Sequence, residues 1–540
     1  MERRLSSFFT PETAKKAGYV ETPVSGAAQR EFLGGFSLDP VVTGLEYDSR
    51  RVKPGSLYFA LPGLHVDGHD FISAALAGGA AVIVHQEPLV EYREGTVYIR
   101  AKDSRFAMSP LADAFYGSPS RRLAVIGVTG TEGKSTTVYL IYQLLILLGR
   151  KAGFISTVKY SDGGEEQWNP EHQTTPEATA IHRLLADMRD KGAEFAVLES
   201  SSHGLSPRTN RLGDVAFDVA VMTNVTHEHL EFPGSWEQYR HDKANLFRAL
   251  DAFSHFKGPG EDREIPSFGV VNADDRSASY FAGATKMRTF TYSAGENAAD
   301  LSAASIESGP TGNRYLVRNA GTGGMMDVTD RLPGSFNAGN VLAALLAVSG
   351  ILSVPAEDLI PLVPSLKPVR GRMTAIDKGQ PFEVLVDYAH TPSSFSAILP
   401  PLRERLDRTG GRIITLFGSA GDRDTAKRPE QGRIAALWSD LIVLTDEDPR
   451  GEEPMTILEE IAAGCPGRKK GEDLFFIPDR PAAIRKAFAL ARPGDLVLLL
   501  GKGHENSIIY AERTIPYDEI GEAERALTET GYDGAGGGEP

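Results

Sequence analysis

The chain has 540 residues, with 57 Lys and Arg against 72 Asp and Glu, which gives a net charge of −15. That length exceeds a single hydrophobic core, and roughly 150 residues per domain predicts three or four units. The acidic balance argues against a general nucleic-acid or membrane-surface binder, whose contact surface would be basic. The single cysteine, Cys465, excludes an intramolecular disulfide and fits a reducing compartment.

The sequence shows no recognisable targeting signal. The stretch "MERRLSSFFTPET" starts with basic residues but has no apolar core of a signal peptide, and no later apolar run reaches the ~18 residues of a membrane span. We therefore expect a soluble, cytoplasmic protein with neither a membrane nor a nucleic acid as partner.

Apolar strand-like runs alternate with helical stretches along the chain, which is typical of an α/β fold. Glycine, proline and serine in "FYGSPSRR" (115–122) indicate a first linker, and the prolines of "VPSLKPVRGRM" (363–373) indicate a second. The terminal "GYDGAGGGEP" is too polar and glycine-rich to bury a core. These breaks predict domains at 1–120, 121–366 and 367–527 and a disordered tail at 528–540.

The stretch "LAVIGVTGTEGKSTTVYLIYQLL" (123–145) predicts a buried strand, a Gly/Thr loop and a helix whose apolar periodicity starts at Val138. In that order, the loop glycines and the first helical N–H groups can hold an anion. Lys134 would reach terminal phosphates, and the Ser135 hydroxyl could bind Mg²⁺. The strict phosphate-loop pattern requires glycine where this chain has Val128, so the strand, loop and helix context carries the prediction.

Two later strand ends supply candidate metal ligands. The run "EFAVLESSSHGL" ends at Glu199, and "VAVMTNVTHEHL" ends at Thr223 and Asn224 with His229 shortly after. A carboxylate and an imidazole there could hold Mg²⁺ near bound phosphates. The alternatives are a solvated strand end for Glu199 and an ordinary surface or capping role for His229.

The segment "SWEQYRHDKANLFRAL" (235–250) predicts an amphipathic helix with Lys243 on its apolar stripe. A desolvated neutral lysine can add CO₂ and become a carbamate, which is an anionic metal ligand. On the helix alone, we expect the ordinary arrangement in which the lysine extends outward to solvent.

Four apolar runs in the last third end in polar or charged residues: "FEVLVDYAH", "RIITLFGSAGDRD", "LIVLTDEDPR" and "DLVLLLGKGHE". Since sites in open α/β sheets form at the carboxyl ends of the strands, these four ends predict a cleft.

Eleven ordered motifs between about residues 45 and 510 resemble those of the Mur ligases, the ATP-dependent enzymes that build the peptidoglycan stem peptide, and most closely the MurE type. The motifs are "GVTGTEGKSTT", "TTPE", "LESSSHGL", "TNVTHEHLEFPGSWEQYRHDKANLF", "VNADD", "LPGSFNAGN", "GRM", "VDYAHTP", "GDRDTAKRPE", "TDEDPR" and "GKGHE". The resemblance implies a small N-terminal α/β domain that binds the UDP-sugar, a central P-loop ATP-binding domain with a mostly parallel sheet, and a C-terminal Rossmann-like domain that binds the amino acid.

The implied reaction is ADP-forming amide ligation in peptidoglycan biosynthesis. A diamino acid, which is L-lysine, L-ornithine or meso-diaminopimelate, is added to the D-Glu of UDP-N-acetylmuramoyl-L-Ala-D-Glu through an acyl phosphate. ATP is the co-substrate, two Mg²⁺ ions assist, and the enzyme is expected to be a monomer. Most of the catalysis would come from positioning and electrostatics, with no covalent protein nucleophile.

The resemblance also implies roles for individual residues. Ser135 and Glu199 match ligands of one Mg²⁺, while His229 and a carbamylated Lys243 match ligands of the other, which reverses the expectation from the helix alone. Lys134 joins Glu199, His229 and Lys243 as the catalytic set. The positions that match ATP contacts are Gly130, Thr131, Glu132, Gly133, Lys134, Ser135, Thr136, Asn272, Asp274, Asn337, Arg372, Asp387, Tyr388 and His390.

The UDP-muramoyl dipeptide is implied to contact the first two domains. Its matched positions are Tyr47, Ser49, Leu64, His65 and Val66 for the uridine end, and Thr174, Thr175 and Ser201 for the dipeptide. The family also has an arginine for the D-Glu end. Because "SPRTNRL" is two residues longer than the usual spacing, either Arg211 or Arg208 could fill that role.

The matched amino-acid contacts are Arg423, Glu447, Asp448, Pro449, Arg450, Gly501 and Glu505. Diaminopimelate-adding relatives have DNPR where this chain has Glu447 to Arg450. Arg450 favours a distal carboxylate, and therefore diaminopimelate. Asp448 in place of Asn favours a distal ammonium alone, as in lysine or ornithine. The two side chains could also pair with each other; we expect lysine or ornithine ahead of diaminopimelate.

Other departures from the family pattern are Glu132 for Asn, Glu228 for Asp, and Asn506 after "GKGHE". They leave two alternatives open. One is a sister enzyme, such as a folylpolyglutamate synthase or another Mur ligase, and the other is a non-catalytic Mur-like protein that binds UDP-sugar or partners. The N-terminal "DSR" and "DGHDF" stretches favour the MurE type, and the four retained catalytic residues favour an enzyme.

Overall fold

The structure is a computed structural model, and it describes residues 1–20, 38–63, 66–169, 173–226, 235–258, 260, 262–309 and 311–533. Three sheets with parallel strands follow one another along these residues, each flanked by helices. The prediction of an α/β fold built from three α/β units is confirmed. Within the described residues, each helix is too short or too polar to cross a lipid bilayer.

The amino-terminal unit is a small parallel sheet with helices packed against it. Its strands are β1 (Arg3–Arg4), β2 (Val41–Val42), β3 (Gly44–Glu46), β4 (Ser56–Phe59), β5 (Val82–His85) and β6 (Val97–Arg100), and its helices are α1 (Pro11–Lys16), α2 (Ile72–Ala77) and α3 (Met108–Phe115). Strands β3 to β6 pair in chain order, all in parallel. Strands β4 and β5 are buried along their full length, because apolar residues cover both faces of the sheet.

The central unit contains an eleven-stranded sheet within the described residues. The strands of this unit are β7 (Ala124–Thr129), β8 (Ala152–Ile155), β9 (Lys159–Ser161), β10 (Gln167–Trp168), β11 (Phe195–Glu199), β12 (Val219–Met222), β13 (Phe256–Lys257), β14 (Arg263–Glu264), β15 (Phe268–Asn272), β16 (Thr289–Ser293), β17 (Leu301–Gly309), β18 (Gly312–Asn319) and β19 (Met325–Thr329). The order is β10-β9-β8-β11-β7-β12-β15-β16-β17-β18-β19. Pairing is parallel from β8 to β17 and antiparallel at both ends.

Helices cover both faces of the central sheet. They are α4 (Lys134–Leu147), α5 (Ala178–Asp190), α6 (Ser202–Leu205), α7 (Trp236–Ala249), α8 (Ala278–Ala282) and α9 (Asn337–Leu352). Helices α4 and α9 pack together on one face, and α5 and α7 pack on the other. Helix α9 is apolar almost all round, which is why it can lie buried beside α4. Strand β7 is therefore covered on both faces and buried at every residue.

The carboxyl-terminal unit is a parallel sheet with one antiparallel edge strand. Its strands are β20 (Thr374–Ala375), β21 (Glu383–Asp387), β22 (Ile413–Phe417), β23 (Leu441–Leu444), β24 (Leu474–Phe476), β25 (Leu496–Leu500), β26 (Ser507–Ile509) and β27 (Thr514–Pro516), and its helices are α10 (Pro392–Asp407), α11 (Lys427–Trp438), α12 (Pro454–Ala462), α13 (Arg480–Leu490) and α14 (Glu519–Glu529). The order is β20-β21-β25-β22-β23-β24. Helices α10 to α12 cover one face, and α13 and α14 cover the other.

The four runs that predicted a cleft form β21, β22, β23 and β25. They are adjacent and parallel, so their carboxyl ends lie on one edge of the sheet as predicted. Strand β25 lies between β21 and β22, which brings the residues that follow it close to those that follow β21. Strand β24 was not among the predicted strands; it has only three residues.

The predicted tail begins too early in the sequence. Helix α14 continues to Glu529, and the Tyr532 backbone N–H donates to Leu527 O. The Tyr532 ring packs edge-on against Phe382, with 6.3 Å between the ring centroids. Residues 528–532, which were predicted to belong to the tail, are therefore part of the packed structure. Residues 534–540 lie outside the described residues. The linker positions at 120/121 and 366/367 stay predictions.

Candidate active site

The loop between β7 and α4 has the geometry of a phosphate-binding turn. Gly130 has a φ of 150°, and a Cβ there would lie 1.9 Å from Thr223 Oγ1. Gly133 has a φ of 81°, and a Cβ there would lie 2.5 Å from Asn340 Oδ1. Both the backbone conformation and the close contacts require glycine at these two positions. The predicted strand, loop and helix are confirmed.

Helix α4 starts at Lys134, one turn before the predicted start at Val138. The first turn is polar, so its residues add nothing to the apolar periodicity from which the helix was predicted. Val128, the departure from the strict pattern, lies inside β7 and is paired with Glu199 and Val221. The chain turns only after β7 has ended, so this position does not require glycine.

Neighbouring strand ends hold the loop in place. The Lys134 Nζ donates to Thr131 O at 2.7 Å, which folds the lysine back over the loop. Thr223 Oγ1 donates to Glu132 O at 2.6 Å, and the Glu132 backbone N–H donates to Asn224 Oδ1 at 2.9 Å. The loop is therefore organised by backbone contacts at Glu132, where the family pattern has a different side chain.

Glu199 lies under the phosphate loop and is only 2% exposed, so the solvated strand end is excluded. Its Oε2 accepts hydrogen bonds from Ser135 Oγ at 2.9 Å and from the Thr157 backbone N–H at 2.8 Å. Among the described residues Glu199 forms no ion pair. A buried carboxylate that faces a hydroxyl without a counter-charge is a position where a cation would be stabilised.

Lys243 also lies against the phosphate loop. The side chain is 1% exposed, and its Nζ donates to Gly130 O at 2.6 Å. The Nζ lies 4.3 Å from the centroid of the Tyr239 ring. The outward arrangement expected from the helix alone is wrong, because α7 packs this stripe against the sheet rather than toward solvent. His229 lies outside the described residues.

A cavity of about 830 Å³ opens between the central and carboxyl-terminal units. It brings together nearly all of the predicted ATP contacts, which come from five separate segments. The predicted residues that line it are Thr131, Glu132, Gly133, Lys134, Ser135, Thr136, Thr174, Glu199, Asn272, Asp274, Asn337, Arg372, Asp387, Tyr388 and His390. Its size suits a small-molecule substrate such as a nucleotide.

The side of this cavity away from Glu199 is built from short polar side chains. Asn272 Nδ2 donates to Thr223 O at 2.8 Å, and its Oδ1 accepts from the Asp274 backbone N–H at 2.9 Å. Asp274 accepts hydrogen bonds from Ser293 Oγ and from the backbone of residues 294 and 295, so it fixes the loop that follows β16.

Asn340 is a cavity residue that the sequence did not single out, although it lies in the quoted "LPGSFNAGN" motif. Its Nδ2 donates to Asn337 Oδ1 at 2.9 Å, and its Oδ1 accepts from Thr137 Oγ1 at 3.3 Å. The same oxygen faces Gly133. Asn340 therefore joins the start of α9 to the start of α4. The available signal in the sequence was a second asparagine three residues after Asn337 in that motif.

The carboxyl-terminal wall of the cavity centres on Tyr388. The Arg372 guanidinium lies 4.8 Å from the centroid of the Tyr388 ring, and His390 Nδ1 lies 2.9 Å from Tyr388 O. Asp387 accepts backbone hydrogen bonds from Met373 and Ala389, each at 2.7 Å. Burial raises the pKa of Asp387 above its ordinary value, and burial followed by the nearby Glu505 charge raises the pKa of Tyr388 well above 10.

The predicted dipeptide contacts form a second cluster directly behind Glu199. Thr175 Oγ1 lies 3.0 Å from Glu199 O and 2.9 Å from Ser201 Oγ. Arg211 is buried, and it donates to Thr175 O at 2.7 Å and to Glu177 Oε1 at 2.8 Å. Arg208, the other candidate, is exposed. The structure thus brings Arg211 to the cluster and leaves Arg208 on the surface.

The predicted uridine contacts belong to the amino-terminal unit, and none of the described ones lines the cavity. Tyr47 packs at the edge of that unit's core, and Ser49 begins a helical turn capped by Asp48. Val66 is 59% exposed. Leu64 and His65 lie outside the described residues.

The predicted amino-acid contacts at 447–450, Gly501 and Glu505 cluster at the ends of β23 and β25. Arg423 is exposed, on a loop whose Gly421 backbone N–H donates to Asp448 O at 2.8 Å. Asp448 Oδ1 accepts from Lys502 Nζ at 2.9 Å, and Lys502 Nζ also donates to Glu505 Oε2 at 2.6 Å. Arg450 Nη2 is 4.0 Å from Asp448 Oδ2. Asp448 therefore pairs mainly with Lys502, a residue of the quoted "GKGHE" motif to which no role was assigned, and only at long range with Arg450.

Glu447 contributes a third carboxylate to this cluster. It is 6% exposed, and its Oε2 has no hydrogen-bond partner among the described residues. A Cβ on Gly501 would lie 2.8 Å from that oxygen, so only glycine leaves this approach open. Glu447 therefore places a buried acceptor without a hydrogen-bond partner at the strand edge where the sequence predicts the amino acid.

Family models match three successive parts of the chain. The Mur ligase family catalytic domain matches residues 41–116, the Mur ligase middle domain matches 128–348, and the Mur ligase glutamate ligase domain matches 371–503. The UDP-N-acetylmuramyl-tripeptide synthetase of Treponema denticola is 51% identical, over 90% of this chain and 94% of its own. The chain belongs to the Mur ligase family.

Solved structures agree with this assignment. A UDP-N-acetylmuramoyl-L-alanyl-D-glutamate–2,6-diaminopimelate ligase has a TM-score of 0.60 and 28% identity, covering 91% of this Mur ligase and 95% of that chain. The MurF ligase from Thermotoga maritima in complex with ADP has a TM-score of 0.61 and 20% identity, covering 90% and 97%. At 20% identity, the comparison with the MurF ligase shows only that the two proteins share a fold.

The donor atoms at Glu199 fit a magnesium ion. Among the described residues no group of three His, Cys, Asp or Glu is arranged to hold a metal. This Mur ligase instead presents a hydroxyl oxygen on Ser135 and a carboxylate oxygen on Glu199, which are hard donors of the kind that Mg²⁺ prefers. Mg²⁺ commonly takes few protein ligands and shares substrate phosphates, so two oxygens beside a phosphate loop suffice.

Proposed function

We propose that this Mur ligase is a MurE-type enzyme that joins a diamino acid to the D-Glu of UDP-N-acetylmuramoyl-L-Ala-D-Glu at the expense of ATP. The observation that carries the proposal is the 830 Å³ cavity, in which the phosphate loop and Glu199 face Tyr388 and His390 of the carboxyl-terminal unit. The high identity to a named tripeptide synthetase over nearly the whole chain supports it. UDP-sugars and ATP are available together in the cytoplasm, where we place the reaction.

The chemistry needs an activated carboxylate, because a carboxylate is a poor electrophile for an amine. A D-Glu carboxylate oxygen takes the terminal phosphoryl group of ATP, and ADP leaves. The amine of the incoming amino acid then attacks the acyl carbon and loses a proton, and inorganic phosphate leaves with the former carboxylate oxygen. Lys134 and the first backbone N–H groups of α4 would stabilise the transferring charge.

Ser135 and Glu199 would hold one Mg²⁺, which when bound neutralises charge on the phosphates. Lys243 contacts a different part of the phosphate loop, where its Nζ donates a hydrogen bond to Gly130 O. We propose that its carbamate, with His229, supplies the second metal site, because a buried lysine at this position becomes an anionic oxygen ligand after adding CO₂.

The second cluster would hold the dipeptide end of the acceptor. Thr175 contacts the backbone of Glu199, so a carboxylate bound at Thr174, Thr175 and Ser201 would lie close to the phosphate loop. We propose Arg211 rather than Arg208 for the D-Glu end, since Arg211 lies beside Thr175. Two charge-assisted hydrogen bonds already orient its guanidinium.

The incoming amino acid is proposed to be lysine or ornithine ahead of diaminopimelate. The charge of Asp448 does not explain this preference, because Lys502 already neutralises it. Of the three carboxylates in the cluster, those of Asp448 and Glu505 pair with Lys502, whereas Glu447 forms no salt bridge among the described residues. The remaining acceptor is Glu447 Oε2, which favours a distal ammonium over a group that also brings a carboxylate.

The test is phosphate release from ATP by the purified protein with the UDP-linked dipeptide, Mg²⁺ and bicarbonate. L-lysine, L-ornithine and meso-diaminopimelate are supplied separately. We expect release that depends on both the dipeptide and one amino acid, with lysine or ornithine giving the highest kcat/KM. Release with diaminopimelate alone would overturn the choice of amino acid, and no release with any of the three would overturn the proposed function.

A further inference from the structure

Lys502 is a buried lysine to which the predicted reaction assigns no role. It follows β25 directly and is 0% exposed. Its Nζ donates to Asp448 Oδ1 at 2.9 Å and to Glu505 Oε2 at 2.6 Å. Both carboxylates belong to the predicted amino-acid pocket, so one ammonium group links two of its walls.

The backbone leaves Lys502 little freedom to move. It is flanked by Gly501 and Gly503, with φ of 102° and 44°. A Cβ on Gly501 would lie 2.8 Å from Glu447 Oε2, and a Cβ on Gly503 would lie 2.7 Å from Tyr388 Cβ. The segment thus packs closely against Glu447 on one side and Tyr388 on the other. Such a fixed backbone keeps the Lys502 ammonium within hydrogen-bonding distance of both carboxylates.

The contacts continue to the nucleotide cavity. Glu505 Oε1 accepts a hydrogen bond from the Tyr388 hydroxyl at 3.2 Å, and Tyr388 lines the cavity. The raised pKa of Tyr388 keeps that hydroxyl protonated and able to donate. Glu505 thus lies between Lys502 and a residue of the nucleotide cavity, and each uses a different oxygen of its carboxylate.

The contacts also continue toward Arg450. Asp448 Oδ1 accepts from the Ile509 backbone N–H at 3.0 Å, and the Arg450 backbone N–H donates to Ile509 O at 2.9 Å. Arg450 has a φ of 54°, which a side-chain-bearing residue adopts only when neighbouring contacts hold it. Asp448 and Arg450 therefore share one backbone partner, Ile509.

Lys502 remains charged in this position. Burial disfavours its ammonium form, but Glu505 and Asp448 outweigh burial and raise the pKa of Lys502 above its ordinary value. Removing the ammonium would leave the buried Asp448 and the half-buried Glu505 without their common partner, and the two carboxylates would have to separate or bind a proton.

We propose that Lys502 is a positioning residue of the ligase. It holds Asp448 and Glu505 where the incoming amino acid needs them and, through Glu505, fixes Tyr388 at the nucleotide cavity. This inference rests on the proposed function and adds to it a residue outside the predicted contact set. It assigns to Lys502 no contact with the reacting atoms.

The test compares K502M, K502R and the double variant D448N/K502M with the wild type in steady-state assays. K502M should raise the KM for the amino acid about tenfold or more and lower kcat, since hydrogen bonds to charged groups of this kind are lost. The KM for the UDP-linked dipeptide should stay within about threefold. K502R keeps the charge and should recover part of the loss, and D448N/K502M should recover part by removing one unpaired carboxylate.

Lys257 offers a matched control, because it is another buried lysine beside a carboxylate, Asp218, but far from this pocket in the fold. K257M should lower thermal stability and leave the KM for the amino acid unchanged. The inference is overturned if K502M keeps a wild-type KM for the amino acid, or if it only loses stability as K257M does. If K502M does not fold, K502R decides, because it changes Lys502 alone, and a wild-type KM for the amino acid there overturns the inference. A wild type without turnover would instead overturn the proposed function before any variant is made.

Discussion

Ser135 Oγ donates a 2.9 Å hydrogen bond to Glu199 Oε2, and this contact joins the phosphate loop to the neighbouring strand β11. Ser135 belongs to the first turn of α4, while Glu199 is the last residue of its strand. The carboxylate is buried and has no cationic partner among the described residues. This pairing places a buried carboxylate beside the glycine loop, which a simple turn between a strand and a helix does not require.

Replacing Glu199 with glutamine tests that pairing. E199Q keeps an oxygen that can accept from Ser135 and Thr157, so the fold should be retained. The loss of negative charge should lower kcat about 100-fold or more, because metal-assisted charge stabilisation would be lost. Steady-state kinetics and a thermal melt of the same preparation measure both quantities. A kcat within about twofold of the wild type would remove Glu199 from the metal site.

Lys243 should carry a carbamate under working conditions. Protein equilibrated with ¹³C-labelled bicarbonate should show a carbamate carbon signal in NMR that disappears in K243A, together with nearly all turnover. Depletion of CO₂ should lower the activity of the wild type, and bicarbonate should restore it. The signal should persist in K257M, which removes a different buried lysine. Turnover of K243A near the wild-type level would contradict the metal assignment.

Arg211 and Arg208 form a natural pair for comparison. R211K retains the charge near Glu177 but loses the planar fork of the guanidinium, and it should raise the KM for the UDP-linked dipeptide about tenfold. R208K, at an exposed position, should leave this KM within about twofold. The reverse pattern would assign the role to Arg208.

A buried acid at the contact between α3 and α5 should make stability depend on pH. Asp113 Oδ1 lies 3.5 Å from His182 Nδ1, and both groups are buried, with Asp214 nearby. Burial raises the pKa of Asp113 to about 6 and lowers that of His182 to about 4. Between pH 4 and 6 the folded state therefore holds a proton on Asp113 that the unfolded state releases, so this group lowers stability as pH rises.

The variant D113N cannot ionise and should lack this slope. Relative to the wild type, its free energy of unfolding should rise by about 2–3 kcal/mol from pH 4 to pH 6.5. The double variant D113N/H182Q, compared with H182Q alone, measures the Asp113 contribution without the titration of the neighbouring imidazole. Urea denaturation across this range measures the difference, and a constant offset between the two proteins would show that Asp113 is ionised throughout.

The features that depend on neighbouring residues could be predicted from the sequence. The phosphate loop is one, because its strand, glycines and helix lie within 23 residues. The start of α4 was placed a turn late, since its first residues are polar and carry no periodicity. The role of Lys243 was predicted from the order of the motifs. The pattern of helix α7 could not predict it, because the burial of Lys243 depends on how α7 packs against the central sheet.

The features that depend on the order of strands could not be predicted. Lys502 and Asp448 are 54 positions apart, and Thr137 and Asn340 are 203 apart. Lys502 comes close to Tyr388 because β25 lies between β21 and β22, and nothing in the local pattern reveals that insertion. Which of two arginines lies at Thr175 likewise depends on how the longer loop packs.

The central claim is that a D-Glu carboxylate is activated by ATP and then joined to an amine. The most direct measurement uses UDP-N-acetylmuramoyl-L-Ala-D-Glu labelled with ¹⁸O in the D-Glu carboxylates, with mass analysis of the phosphate and of the nucleotide product. We predict one ¹⁸O in each inorganic phosphate released, together with a tripeptide product that has lost one label. Unlabelled phosphate, or phosphate released without a tripeptide, would contradict the account.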